Sequence, residues 1–96
     1  MKFMFVYILK CSDGTYYTGV TNDVQRRFNE HEGGNHADSY TFRRRPLQLV
    51  FAQLFLEPMQ AIRFEKRLKK WSRAKKEALI EGRFNDLPSL SKKKFS

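Results

Sequence analysis

The spacing of apolar residues changes repeatedly along the chain, and each change marks an element. Met4 to Lys10, MFVYILK, is almost continuously aromatic or branched and predicts a first strand. Ser12-Asp13-Gly14 is a turn signal, and Thr15 to Val20 predicts a second strand, giving a hairpin. Phe5, Tyr7 and Leu9 fall on one face of the first strand. Tyr17 and Gly19 share a face of the second, with Tyr16 on the other. Both faces are largely apolar, so the sheet should be covered on both sides. A two-residue Asp13-Gly14 loop would put Tyr7 on the Tyr16 side. A loop one residue longer, or a bulge, would put Tyr7 with Tyr17. The sequence leaves that register open.

After the hairpin the period changes to that of a helix. Asn22 is the expected N-cap, with Gln25 three residues on, and the helix should run to about Glu32 and stop at Gly33-Gly34. His36 to Pro46 reads as a polar, basic loop, and Leu47 to Leu56 as a third strand. Pro58 suits a first helical turn, and that second helix should reach about Trp71. Ser72 is the expected cap of a third helix ending near Gly82. The order β-β-α-β-α-α implies an α/β fold, a small three-stranded sheet flanked by helices. No internal repeat interrupts it. Residues 1–85 read as one domain and residues 86–96, ending SKKKFS, as a flexible basic tail.

Composition narrows the functional classes. The chain has 96 residues, 41% hydrophobic and 15% aromatic, enough for one modest core. The formal charge is +9 and the pI about 10.0. Such a surplus on a small domain points to a polyanionic partner, nucleic acid before membrane. Cys11 is the only cysteine, which excludes an intrachain disulfide and leaves no Cys/His zinc pattern. The opening MKFMFVYIL is too short to span a membrane and lacks a signal-peptide cleavage region, so a soluble, cytoplasmic protein is expected.

Helical arithmetic then separates neighbours. In AIRFEKRLKKW, Ala61, Phe64, Leu68 and Trp71 form one apolar face at about 100° per residue. Glu65 falls inside that arc, whereas Arg63, Lys66, Arg67 and Lys70 point elsewhere. A carboxylate aimed at a core is costly unless paired or bound to a metal. The plain alternative is an i,i+4 pair with Lys69. On the first helix, Val24, Phe28 and His31 mark a face that includes Arg27, while Arg26 points to water. Arg27 could instead lay its stem on the core and reach out, and His31 could simply answer the helix dipole. YTFRRRP, Tyr40 to Pro46, sets Arg43, Arg44 and Arg45 after two aromatics, a pattern suited to phosphate and base stacking, or to a solvated loop. His36 with Asp38 is a weak metal pattern, and Lys92 to Lys94 are a less specific basic run.

Together these features resemble the GIY-YIG nuclease family. Phe5-Val6-Tyr7 stands for the first motif, with only its tyrosine literal, and Tyr17-Thr18-Gly19 for the second. GVTNDVQRRFNEH resembles the segment leading into the family's catalytic helix. AIRFEKRLKKWSRAKKEALI resembles the glutamate helix of small stand-alone bacterial members, relatives of the N-terminal domain of the excision-repair nuclease. The likeness covers roughly residues 1–82 and rests on order and spacing rather than on one motif. It implies that Tyr7, Tyr17, Arg27 and His31 are catalytic and that Glu65 binds one divalent cation, Mg²⁺ or Mn²⁺. Gly19 is then the motif glycine that allows close packing, and Tyr40 stands near a position that is histidine or tyrosine elsewhere. WSRAKKEAL lacks the asparagine many members carry after the glutamate.

The implied activity is phosphodiester hydrolysis in DNA, structured or damaged, with DNA expected before RNA. The rival expectation is a module of the same fold that binds DNA or RNA and cuts weakly or not at all. A third is a subunit whose site serves a complex. Beyond the arginine loop, Lys66, Lys69, Lys70 and Arg73 are the expected nucleic-acid contacts, and no membrane role is expected.

Overall fold

The computed structural model describes residues 2–34 and 39–83. The tail at 86–96, its lysines Lys92 to Lys94, and the His36 and Asp38 pair lie outside the described residues. Six main elements follow the expected order: β1 (Met4–Lys10), β2 (Tyr16–Thr21), α1 (Val24–Glu32), β3 (Gln48–Phe55), α2 (Pro58–Lys69) and α3 (Arg73–Ile80). A short 3-10 turn, Phe42–Arg44, interrupts the arginine loop.

β1 is the central strand of an antiparallel sheet ordered β2-β1-β3. Val6, Tyr7, Ile8 and Leu9 are all buried, which requires cover on both faces of the sheet. On one face Val6 and Ile8 pack with Ala61 and Leu68 of α2, and with Phe64, Trp71, Leu79 and Ile80. On the other, Tyr7, Leu9, Cys11 and Leu47 pack with Tyr17 and with Val24 and Phe28 of α1. Full burial of a leucine such as Leu68 stabilises the fold by about 1.5–3 kcal/mol.

The turn resolves the open register. Cys11 pairs with Thr15 (N···O 2.8 Å), the Gly14 N–H returns to the Cys11 carbonyl at 2.9 Å, and the loop is therefore Ser12-Asp13-Gly14. Gly14 sits at φ +85°, the left-handed position that closes a three-residue hairpin. Tyr7 then lies opposite Gly19 and Leu9 opposite Tyr17, so both motif tyrosines share the α1 face.

The cap of α1 differs from expectation by one residue. Asp23, not Asn22, is the N-cap: its backbone is extended and its carboxylate accepts from the Arg26 N–H. The Asn22 side-chain oxygen accepts from the Arg26 guanidinium instead. Helix α2 ends at Lys69, two residues before Trp71. Ser72 caps α3 as expected, accepting from the Lys75 N–H at 3.1 Å. No helix among the described residues is long and apolar enough to cross a membrane.

Candidate active site and nucleic-acid interface

β1, β2 and α1 bring Tyr7, Tyr17, Arg27 and His31 together. Tyr7 is buried, and its hydroxyl lies 3.2 Å from His31 Nε2. The His31 ring also meets Tyr17 edge-on, with centroids 5.1 Å apart. The rings of Tyr7 and Tyr17 are 6.3 Å apart. His31 is itself buried, 4% exposed, because the Val24–Phe28–His31 stripe turns it onto the sheet. Arg27 is half-buried and its Nε donates to Glu30 at 3.1 Å. Burial pushes the Tyr7 hydroxyl above the ordinary tyrosine range and Tyr17 adds to that, while the Arg27 guanidinium pulls the other way. Tyr7 is thus a neutral phenol at pH 7, a proton donor rather than a ready base.

Gly19 owes its place to Tyr7. A Cβ there would sit 2.6 Å from the Tyr7 hydroxyl oxygen and 2.8 Å from the ring carbon bearing it. The missing side chain gives the phenol the room to reach His31.

Glu65 stands on α2, which packs on the opposite face of the sheet. Its side chain is 12% exposed, while Lys69, at 55%, closes an ion pair to it at 2.7 Å. Periodicity placed Glu65 inward, and the i,i+4 lysine accompanies it. Among the described residues no three His, Cys, Asp or Glu side chains gather to hold an ion. Glu65 offers a single hard oxygen ligand. That donor chemistry fits a magnesium-like ion that keeps most of its water.

A cleft of about 270 Å³ opens at the β2 edge, lined by Tyr16, Tyr17, Thr18, Tyr40, Lys69 and Lys76. Through Tyr17 it borders the tyrosine–histidine cluster, and through Lys69 it borders Glu65. Sequence reasoning passed over Lys76 and Thr18. Lys76 lies on α3, and burial pulls its ammonium below the ordinary lysine range. Thr18 is 3% exposed, and its hydroxyl has no hydrogen-bond partner among the described residues. A buried unsatisfied hydroxyl costs about 1–3 kcal/mol. Thr18→Val should therefore raise stability by about 1 kcal/mol, or about 4–8 °C in Tm for a domain this size. A thermal melt showing a lower Tm would give that hydroxyl a structural role instead.

The expected nucleic-acid contacts divide by their surroundings. Lys66 on α2 and Lys70 at its C-cap are exposed. Arg43 is also exposed, whereas Arg44 and Arg45 bind within the protein. Arg44 bonds Asp13 and the Tyr40 carbonyl and lies over the Tyr40 ring at 3.8 Å. Arg45 bonds the Phe42 and Glu32 carbonyls. Arg73 pairs with Glu77 and stands over the Tyr16 ring. Tyr40, 42% exposed, stacks on Tyr17 with centroids 6.2 Å apart.

Comparison with known proteins agrees with this geometry. Residues 3–78 match the family model described as the GIY-YIG catalytic domain. A UPF0213 protein of Halobacterium salinarum is 53% identical over 75 residues, covering 78% of this chain and 96% of the relative. UPF0213 protein YazA of Bacillus subtilis is 42% identical over 81 residues, covering 84% and 81%. The solution structure of UPF0213 protein BH0048 from Bacillus halodurans superposes with a TM-score of 0.55 at 42% identity, covering 83% of this chain and 84% of that one. The solution structure of EF2693 from E. faecalis gives 0.60 at 31% identity, covering 85% and 86%. With its sheet order, its paired tyrosines and its glutamate helix, the chain belongs to the GIY-YIG family, in the UPF0213 group.

Proposed function

We propose that this protein is a GIY-YIG module that binds nucleic acid, DNA before RNA, and whose hydrolytic capacity is weak. The observation that carries this reading is the state of Glu65. It is a lone carboxylate neutralised by Lys69 at 2.7 Å, with no cluster of further metal ligands among the described residues. A cation must displace that lysine and then rely on water for its other ligands. The surface favours binding: the charge is +9, and Arg43, Lys66 and Lys70 are exposed. Phosphate contacts of this kind release counterions and give affinity without sequence preference. Fluorescence anisotropy with short duplex, branched and single-stranded DNA and RNA, in EDTA and then in Mg²⁺, tests it. Binding is expected in both buffers, and its absence in both would overturn the reading.

A second reading, a divalent-metal endonuclease, draws on the preorganised Tyr7–His31–Arg27 cluster. Glu65 would hold a single Mg²⁺ or Mn²⁺, and the ion would supply charge neutralisation at the phosphate. Arg27 would hold non-bridging oxygens with its fork. Because Tyr7 is neutral, it can take a proton from the attacking water only as it passes its own to His31 Nε2. Wild-type cleavage of flapped or nicked DNA that is abolished in Glu65→Ala would favour this reading over the first.

A further inference from the structure

We propose that Thr41 is a positioning residue that fixes the tautomer of His31, keeping the proton on Nδ1 and the Nε2 lone pair aimed at Tyr7. Thr41 is fully buried although it sits in a polar loop. Its hydroxyl oxygen lies 2.7 Å from His31 Nδ1 and 3.0 Å from Ser39 Oγ. On the other side of the ring, Nε2 lies 3.2 Å from the Tyr7 hydroxyl. Buried Tyr7, His31 and Thr41 form one chain that ends on half-buried Ser39, and its direction decides which ring nitrogen can accept a proton.

Basicity sets that direction, and Arg27 supports it. A guanidinium has donors and no acceptor, and it acts on the Tyr7 oxygen by pulling its pKa down. Tyr7 therefore sends its own proton elsewhere, and of the two acceptors beside it, the Tyr17 hydroxyl and His31 Nε2 at 3.2 Å, the imidazole nitrogen is the stronger base and takes it. A neutral imidazole that accepts at Nε2 carries its proton on Nδ1, which donates to Thr41. Thr41 then donates to Ser39. The reverse order would fill both lone pairs of the phenol oxygen with Arg27 and the Nε2–H and leave the Tyr7 proton to the weaker acceptor, the Tyr17 hydroxyl. Thr41 is held for this role by backbone: its carbonyl accepts from Arg44 N–H at 3.0 Å, and Ser39 O accepts from Phe42 N–H at 3.2 Å. The 3-10 turn thus fastens the threonine beneath the histidine.

For its effect on cleavage the inference rests on the Tyr7 cluster being the working site, but the tautomer itself does not. Long-range ¹H–¹⁵N correlation at about pH 8, above the ordinary histidine range, reads it directly. The chain has two histidines, and His31→Asn identifies the signal. Wild type should show Nδ1–H and a lone pair at Nε2. Thr41→Val, close in volume but without the acceptor, should move the ring to Nε2–H as the main form, and Thr41→Ser should restore Nδ1–H. Thr41→Ala makes the same comparison should the valine variant not fold. An Nε2–H ring in wild type overturns the proposal. So does a folded Thr41→Val or Thr41→Ala protein that keeps the wild-type pattern. A protein that never cuts DNA leaves this readout intact, so the two ideas fail separately.

Discussion

Gly19→Ala should lower stability by about 1–3 kcal/mol, the cost of forcing one carbon into a filled core. Alanine normally gains about 0.5–1 kcal/mol over glycine in a strand interior, so the sign here is set by Tyr7. The new Cβ would lie 2.6 Å from the phenol oxygen, and Tyr7 is buried with its hydroxyl engaged by His31. The ring cannot swing out without breaking that contact and opening the α1-side core. A Tm drop of about 4–24 °C is expected on the scale of a domain this size. Tyr7→Phe removes the oxygen at the point of closest approach. The double variant should therefore lose less than the two single changes summed, by about 0.5 kcal/mol or more. Additive losses would mean that the glycine is not there for the tyrosine.

The second large effect concerns charge. Lys66 on α2 and Lys70 at its C-cap are exposed and make no ion pair among the described residues. Replacing both by glutamate should leave the fold intact and weaken binding to every DNA sequence alike. Each lost phosphate contact lowers the slope of log affinity against log salt by about 0.9, so the pair should remove nearly two units. Arg44→Ala should behave otherwise. That guanidinium is engaged with Asp13, the Tyr40 carbonyl and the Tyr40 ring. Its loss should appear in stability rather than in the salt slope. Equal slopes for wild type and the double glutamate variant would move the binding face away from α2.

Much of this arrangement was legible in the chain. Strand β1 announced itself through an unbroken apolar run, and α1 and α2 cover it on both faces as such a run requires. Helical periodicity turned Glu65 and Arg27 inward and left Arg26 and Lys66 outside. The tyrosine register was not legible, because two hairpin loops differing by one residue exchange the faces of the sheet. The Cys11–Thr15 pair and the left-handed Gly14 decide it. Thr41 was not legible either. Its partner His31 is ten residues away across a loop, and only the 3-10 turn places a polar side chain beneath the histidine. Arg44 and Arg45 read as phosphate forks because composition cannot show that carbonyls and rings of their own loop already occupy them. Asp23 rather than Asn22 caps α1 because both are suitable acceptors and the extended backbone at Asp23 brings its carboxylate to the Arg26 N–H.

The most direct measurement pairs affinity with single-turnover cleavage of one branched DNA in Mn²⁺, for wild type and Glu65→Ala. The proposed binding module predicts closely similar affinity for the two proteins and cleavage far below the ordinary enzymatic scale of about 1 s⁻¹. Rapid cutting by wild type that vanishes in Glu65→Ala would contradict it and make this chain an endonuclease. Failure of either protein to bind the DNA would contradict the nucleic-acid reading altogether.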